Sequence, residues 1–296
     1  MYNLISMCFA LFRIERYCCL CALFIVLFIS GTCNADNQKA IILEIHPYLP
    51  ATELIDRFTP LTEYLSRAIG RPVKISIAKD YKDHIDNIGN DKVDIAFLGP
   101  ASYVKMVKQY EKKQLLARFE IQGKPTFCGS IIVKKNSTIY SLNELAGKRF
   151  AFGDPDSTMS HLLPRFMLQE AGVEITALSG YAFLDNHNDV ALGVLMGGFD
   201  AGAVKEDVFL KYKERGLREL VKTPEISEHV FVATRSLPPG IADTVKDALF
   251  KLKNDDKGRT IMSMMRDSLT GLAPANDMDY DNLRSILKKI EEAPIH

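Results

Sequence analysis

An alternation of short apolar runs with longer stretches of helical periodicity restricts the fold of this chain more than any other feature. The runs Ile41–Ile45, Val73–Ile77 and Val93–Leu98 are separated by segments 52–69 and 81–88. In the first separator Leu54, Ile55, Phe58, Leu61, Leu65 and Ile69 mark one buried face, and Gly70 stops the helix. Strand–helix–strand repetition of this kind predicts a parallel sheet with right-handed crossovers. A helix begins at Ala101, and strands over 116–121 and 129–133 are joined through Gly123-Lys124-Pro125. The pattern then restarts: 142–145, a strand at 149–152, a helix over 160–171, a strand over 178–183, a helix over 188–197 and a strand over 201–204. A strand over 230–234 and helices over 242–252 and 281–290 complete it. The expected architecture is α/β with two lobes, each a mostly parallel sheet flanked by helices, joined by two crossover segments. The chain starts in lobe one (36–122), passes into lobe two (123–228) and returns to lobe one (229–296).

The first 35 residues differ from the remainder. Arg13 and Arg16 precede an apolar run from Tyr17 to Ile29, followed by Ser30-Gly31-Thr32-Cys33-Asn34-Ala35. A basic n-region, an h-region of secretory length and a small-residue cleavage site read as a signal peptide removed after Ala35. Lipidation at Cys33 is an alternative that Thr32 suits poorly, and the run is short for a retained anchor. Met7 is an alternative start. Five of the six cysteines lie in this leader, leaving Cys128 alone, so the exported domain relies on its core rather than on a disulfide. The whole chain balances 37 basic against 37 acidic residues; loss of Arg13, Arg16 and Glu15 leaves 35 against 36, a net charge of −1. Neutrality gives no footprint for nucleic acid or for a membrane surface.

Lys148 to Leu168 carries the clearest local chemistry. Phe150 to Phe152 ends a buried strand, Gly153-Asp154-Pro155-Asp156 turns, and Leu162, Leu163, Phe166 and Met167 recur at helical spacing. Ser157, Thr158 and Ser160 lie between turn and helix, and Pro164 suits a first turn. The first turn of a helix has unpartnered N–H groups and the positive end of the dipole, so hydroxyls beside it make a neutral cradle for an oxyanion. The same residues also satisfy an ordinary N-cap. Enzyme signatures are missing: there is no Gly-x-Ser-x-Gly elbow, His-Glu-x-x-His helix or Gly-Lys-Ser/Thr phosphate loop. Asp154 and Asp156 flank a proline and shape its turn, Cys128 has no basic neighbour to activate it, and the six histidines lack metal-ligand spacing. No catalytic residue, metal or cofactor is expected.

Four elements occur in a familiar order: Val93-Asp94-Ile95-Ala96-Phe97-Leu98-Gly99-Pro100-Ala101-Ser102-Tyr103, Gly153-Asp154-Pro155-Asp156-Ser157-Thr158, His187, and Asp200-Ala201-Gly202-Ala203. Over roughly residues 40–290 the chain resembles the periplasmic substrate-binding proteins of phosphonate, phosphite and phosphate ABC transporters. The resemblance implies a type II periplasmic-binding fold with the ligand clamped between two lobes. Carried over by position, oxyanion contacts fall on Ser157, Thr158 and His187, a lobe-one tyrosine on Tyr81 after Asp80, and a crossover aromatic on Phe127. Contacts to the organic part of a phosphonate fall on Asp207 and near His229. The chain departs from the family pattern where Met159-Ser160 replaces Ser-Gly, with Ser160 restoring a hydroxyl, and where Phe127 replaces a tyrosine. At the second crossover Glu228 and His229 compete for a position commonly acidic.

Beside these, Tyr48 lies in the first strand-to-helix loop, where cleft residues of open α/β sheets collect. His187 reads either as a surface histidine or as an oxyanion donor that gains charge at acidic pH. His161 reads as a first-turn surface residue and Tyr103 as core. The expected partners are a small oxyanion and an ABC permease, or alternatively a membrane receptor or kinase that senses the closed form. The protein is expected to be a monomer.

Overall fold

The computed structural model describes residues 39–292; the leader, with its candidate cleavage and lipidation sites, lies outside them. The first strand, β1 (Ile41–Ile45), is apolar at all but one position because it lies between two others. Helix α1 (Ala51–Ile69) buries Leu54, Phe58, Leu61 and Leu65, and Gly70 ends it in the left-handed conformation at φ +68°. Ile55, expected on the buried face, is 45% exposed, because its neighbour Leu54 takes the inward direction. Next come β2 (Val73–Ile77), α2 (Tyr81–Gly89), β3 (Ile95–Leu98), α3 (Pro100–Gln109) and β4 (Gln114–Ile121). The chain then enters a two-residue strand, β5 (Thr126–Phe127), before β6 (Gly129–Lys134).

β7 (Arg149–Phe152) leads through a turn into five residues of π-helix (Thr158–Leu162) and then α4 (Leu163–Glu170). β8 (Gly180–Phe183) starts later than its apolar run because Ile175–Ala177 forms a 3₁₀ turn. α5 (His187–Leu195), β9 (Ala201–Lys205), α6 (Glu206–Lys213) and β10 (Leu217–Lys222) follow. The return passes through β11 (Ile226–Ser227), paired antiparallel with β5, into β12 (Val230–Ala233). α7 (Pro239–Lys251), α8 (Asp256–Met265), β13 (Leu269–Ala273) and α9 (Asp281–Glu292) close the chain.

Two mixed sheets result. One has the order β13-β4-β12-β3-β1-β2, and four of its six strands point the same way, with β12 and β13 opposed. The other has the order β10-β6-β9-β7-β8, with only β6 opposed. β5 and β11 join them. Residues 40–292 belong to one compact unit. Edge strands β10 and β13, and helices α6 and α8, go beyond what periodicity predicts. Among the described residues no helix is long and apolar enough to cross a membrane.

Phe97 anchors the first sheet. Its ring centroid lies 5.2 Å from that of Phe58 and 4.7 Å from each of Phe119 and Phe231, all four being buried. Phe97→Ala should therefore cost about 3–5 kcal/mol of unfolding free energy in urea titration. A loss under about 1 kcal/mol would show that the cluster repacks and that Phe97 is not its centre.

Candidate functional site

Five helical starts meet at one small cavity. Tyr81 is the first residue of α2, Gly99 the N-cap of α3, Ser157 the N-cap of the π turn, His187 the first residue of α5 and Lys205 the N-cap of α6; each lines the cavity. His46 beyond β1, Phe127 on β5, Thr158, Met159 and His229 complete the wall. The space between them is ≈ 10 Å³. By the same measure a single water molecule needs about 10–15 Å³.

Pro164 shapes one wall. A residue there would normally donate its N–H to the Ser160 carbonyl, but proline has none. That carbonyl instead accepts from Gly153 N–H at 3.0 Å, and the Leu162 N–H reaches back five residues to Ser157 O at 3.0 Å. The widened turn lets Thr158 lean across to the first sheet, where its Oγ1 accepts from Ala101 N–H at 3.0 Å and caps α3. Ser157 Oγ accepts from Ser160 N–H at 3.3 Å. Gly99 keeps the α3 N-terminus close to two imidazoles: a Cβ there would lie 3.3 Å from His46 Cε1 and 3.7 Å from His229 Nε2.

The imidazoles are neutral. His187 Nδ1 accepts the Lys205 backbone N–H at 3.1 Å, so its proton sits on Nε2, and burial together with Lys205 lowers its pKa to about 3. The expectation that His187 gains charge at acidic pH is thereby corrected. His229 Nδ1 faces Glu228 Oε2 at 2.7 Å, leaving Nε2 toward Gly99, and burial and Lys205 lower its pKa to about 4. His46 is 1% exposed, stacks on Tyr48 at 4.6 Å, and has no hydrogen bond on either ring nitrogen among the described residues. Burial, then His229, lowers its pKa well below 6.5.

Behind the cavity runs a chain of buried charges. Arg266 pairs with Glu228 and with Asp207, the latter at 3.3 Å, linking the two sheets' sides. Burial alone would raise the Glu228 carboxyl, but Arg266 and His229 pull it down to about 2. Lys205 Nζ lies 4.4 Å above the Tyr48 ring centroid and 4.0 Å from Asp207 Oδ2. Burial lowers its pKa to about 8, so it stays mostly charged at neutral pH.

Of the residues expected at the site, Ser157, Thr158, Tyr81, Phe127, His187 and His229 line the cavity together. Ser160 does not: its hydroxyl donates to the Ala203 carbonyl. Asp207 lines a neighbouring cleft with Arg57 and Arg266, its carboxylate taken by Arg266. Tyr48 supports His46 and Lys205 from behind. At the second crossover His229 faces the cavity, while Glu228 turns to Arg266. His161 is buried rather than at the surface, its Nδ1 at 2.6 Å from Pro155 O. Tyr103 is core, with its hydroxyl donating to Asp277 at 2.8 Å. Cys128 is buried against Glu206, which with burial raises its thiol to about 12. His46 and Lys205 escaped the sequence reading, although each stands at the C-terminal end of a buried strand.

The sequence profile of a family described as "ABC transporter, phosphonate, periplasmic substrate-binding protein" matches residues 43–280. The chain belongs to this family. It is 26% identical over 281 residues to the phosphate-import protein PhnD of Mycolicibacterium smegmatis, covering 87% of this chain and 88% of that one. It is 26% identical over 276 residues to a probable ABC transporter phosphite binding protein, PhnD1, of Prochlorococcus marinus, covering 87% and 92%. The solved structure of PhnD1 from Prochlorococcus marinus in complex with methylphosphonate superimposes with a TM-score of 0.78 at 23% identity, over 86% of this chain and 99% of that one. A phosphonate transporter's binding protein from Pseudomonas aeruginosa gives 0.77 at 21%, over 84% and 86%.

In this family member the buried histidines make the fold sensitive to acid. His46, His187 and His229 are held below their ordinary 6.5, so below that pH the unfolded chain binds more protons and stability declines. Glu228, ordinarily 4.5 and here about 2, extends the loss as pH falls through that interval. The melting temperature should be highest near neutrality and fall steadily from about pH 6.5 downward. A flat melting temperature between about pH 7 and 4.5 would contradict this charge assignment.

Proposed function

We propose that this chain is the binding component of an ABC importer that captures a small phosphorus oxyanion by closing its two lobes on it. The observation that carries this reading is the convergence of five helical starts on one cavity. The positive dipole ends of these helices attract negative charge. Neutral donors add to them: the Ser157 and Thr158 hydroxyls, Tyr81 and the Nε2–H of His187. The names of the relatives, phosphate import and phosphite binding, support the same ligand chemistry. The lobes are residues 36–122 with 229–296 and residues 123–228, and β5 and β11 are the hinge between them. Contacts across the cleft, Thr158 to Ala101, Arg266 to Asp207 and Asn188 to Glu53 at 3.2 Å, hold the closed form. The mature protein is an exported monomer that delivers its ligand to a membrane permease and performs no catalysis.

Calorimetry against phosphate, phosphite, methylphosphonate and sulfate tests the reading. At least one phosphorus ligand should bind, and Thr158→Val should weaken it about ten- to a hundredfold, while Thr158→Ser keeps it. Thr158 also caps α3, so the valine variant should lose about 0.5–2 kcal/mol of stability. A valine variant that melts earlier but binds like wild type would show a cap and no ligand contact.

A further inference from the structure

The cavity contains one charged side chain that none of the neutral-donor chemistry requires. Lys205 is 3% exposed, lines the cavity, and its Nζ makes no hydrogen bond to the described residues; the nearest carboxylate oxygen is 4.0 Å away. That carboxylate, Asp207, is already engaged by Arg266 at 3.3 Å and by the Val208 N–H at 2.9 Å. The buried Glu228 carboxylate is taken by Arg266 and by both the backbone N–H and Nδ1 of His229 at 2.7 Å. Among the described residues no carboxylate lines the cavity. The ammonium is held in place from one side by the rings of Tyr48 and Phe127, at 4.4 and 5.7 Å. The ammonium therefore borders the cavity with N–H donors that no described residue accepts.

We propose that Lys205 is the charge partner of the bound anion and the residue that sets selectivity, so that the site accepts compact tetrahedral phosphorus oxyanions and rejects phosphonates bearing an ammonium group. The inference rests on the oxyanion reading above. One physical argument supports it. A ligand ammonium would lie beside a buried cation in a cavity that no carboxylate of the described residues lines, and like charges in a desolvated site repel strongly.

The test is calorimetry of the full-length mature protein with phosphate, phosphite, methylphosphonate and 2-aminoethylphosphonate, on wild type and Lys205→Met. Wild type should bind methylphosphonate at least a hundredfold more tightly than 2-aminoethylphosphonate. Lys205→Met keeps the stem and removes the charge; it should weaken methylphosphonate ten- to a hundredfold and narrow the gap between the two ligands to under tenfold. If wild type binds none of the four, the oxyanion reading fails and this inference with it. If wild type binds methylphosphonate but holds 2-aminoethylphosphonate equally well, or if Lys205→Met keeps wild-type affinity and discrimination, the role of Lys205 alone is overturned. Should the variant not fold, the wild-type ratio of the two affinities decides the matter.

Discussion

The site depends on one guanidinium. Arg266 follows α8 on the side of the first sheet, and its two carboxylate partners come from elsewhere: Asp207 from α6 and Glu228 from the second crossover. Removing one partner of such a buried pair typically costs about 3–5 kcal/mol, because the other is left charged and unpaired. The arrangement also consumes acids. With Asp207 and Glu228 committed to Arg266, nothing anionic is left to neutralise Lys205 at hydrogen-bond distance, and Glu228 fixes His229 with Nδ1 turned away from the cavity. One guanidinium holding two carboxylates thus leaves Lys205 to set the sign of the cavity, while Glu228 sets the tautomer of one of its walls.

Local covalent chemistry matches this. Pro164 cannot donate to Ser160 O, so the helix opens into a π turn, which frees Ser160 O for Gly153 and lets Thr158 reach Ala101. Gly153 permits the close approach, since a Cβ there would clash with Ser160 at 2.6 Å. Gly153, Thr158 and Pro164 therefore act together to bring a helix start of the second sheet against a helix start of the first, and π turns of this kind often mark functional sites.

How much of this was legible follows from where each residue sits. The central strands β1, β3 and β9 were readable because they are covered on both faces and carry continuous apolar runs. β10 and β13 lie at sheet edges; charges at Arg218, Glu219 and Lys222 and a glycine at 271 hide them. Ser157, Thr158 and Tyr81 were readable as helix starts. Ser160 was misplaced because a hydroxyl three residues into a π turn points back at the sheet, a matter of turn geometry that spacing does not encode. Lys205 was invisible for another reason: a lysine followed by Glu206 and Asp207 reads as a solvated cap, and the rings that cover it, Tyr48 and Phe127, come from distant parts of the chain.

A site built from neutral donors and a single cation has a consequence for ligand exchange. Neutral hydroxyls, amides and imidazoles stabilise an anion without strong long-range attraction, whereas a buried ammonium destabilises the closed protein until an anion arrives, because Asp207 at 4.0 Å only partly offsets its desolvation. Closure around a dianion relieves that penalty, and closure without one does not. Thr158 and Ala101, Arg266 and Asp207 then supply the contacts that the closed form makes whatever the ligand. The lysine adds what those contacts lack, a dependence of closure on the charge of the guest. A population shift of two orders of magnitude needs only about 2.7 kcal/mol of differential interaction, which one charge-assisted contact of this kind can provide.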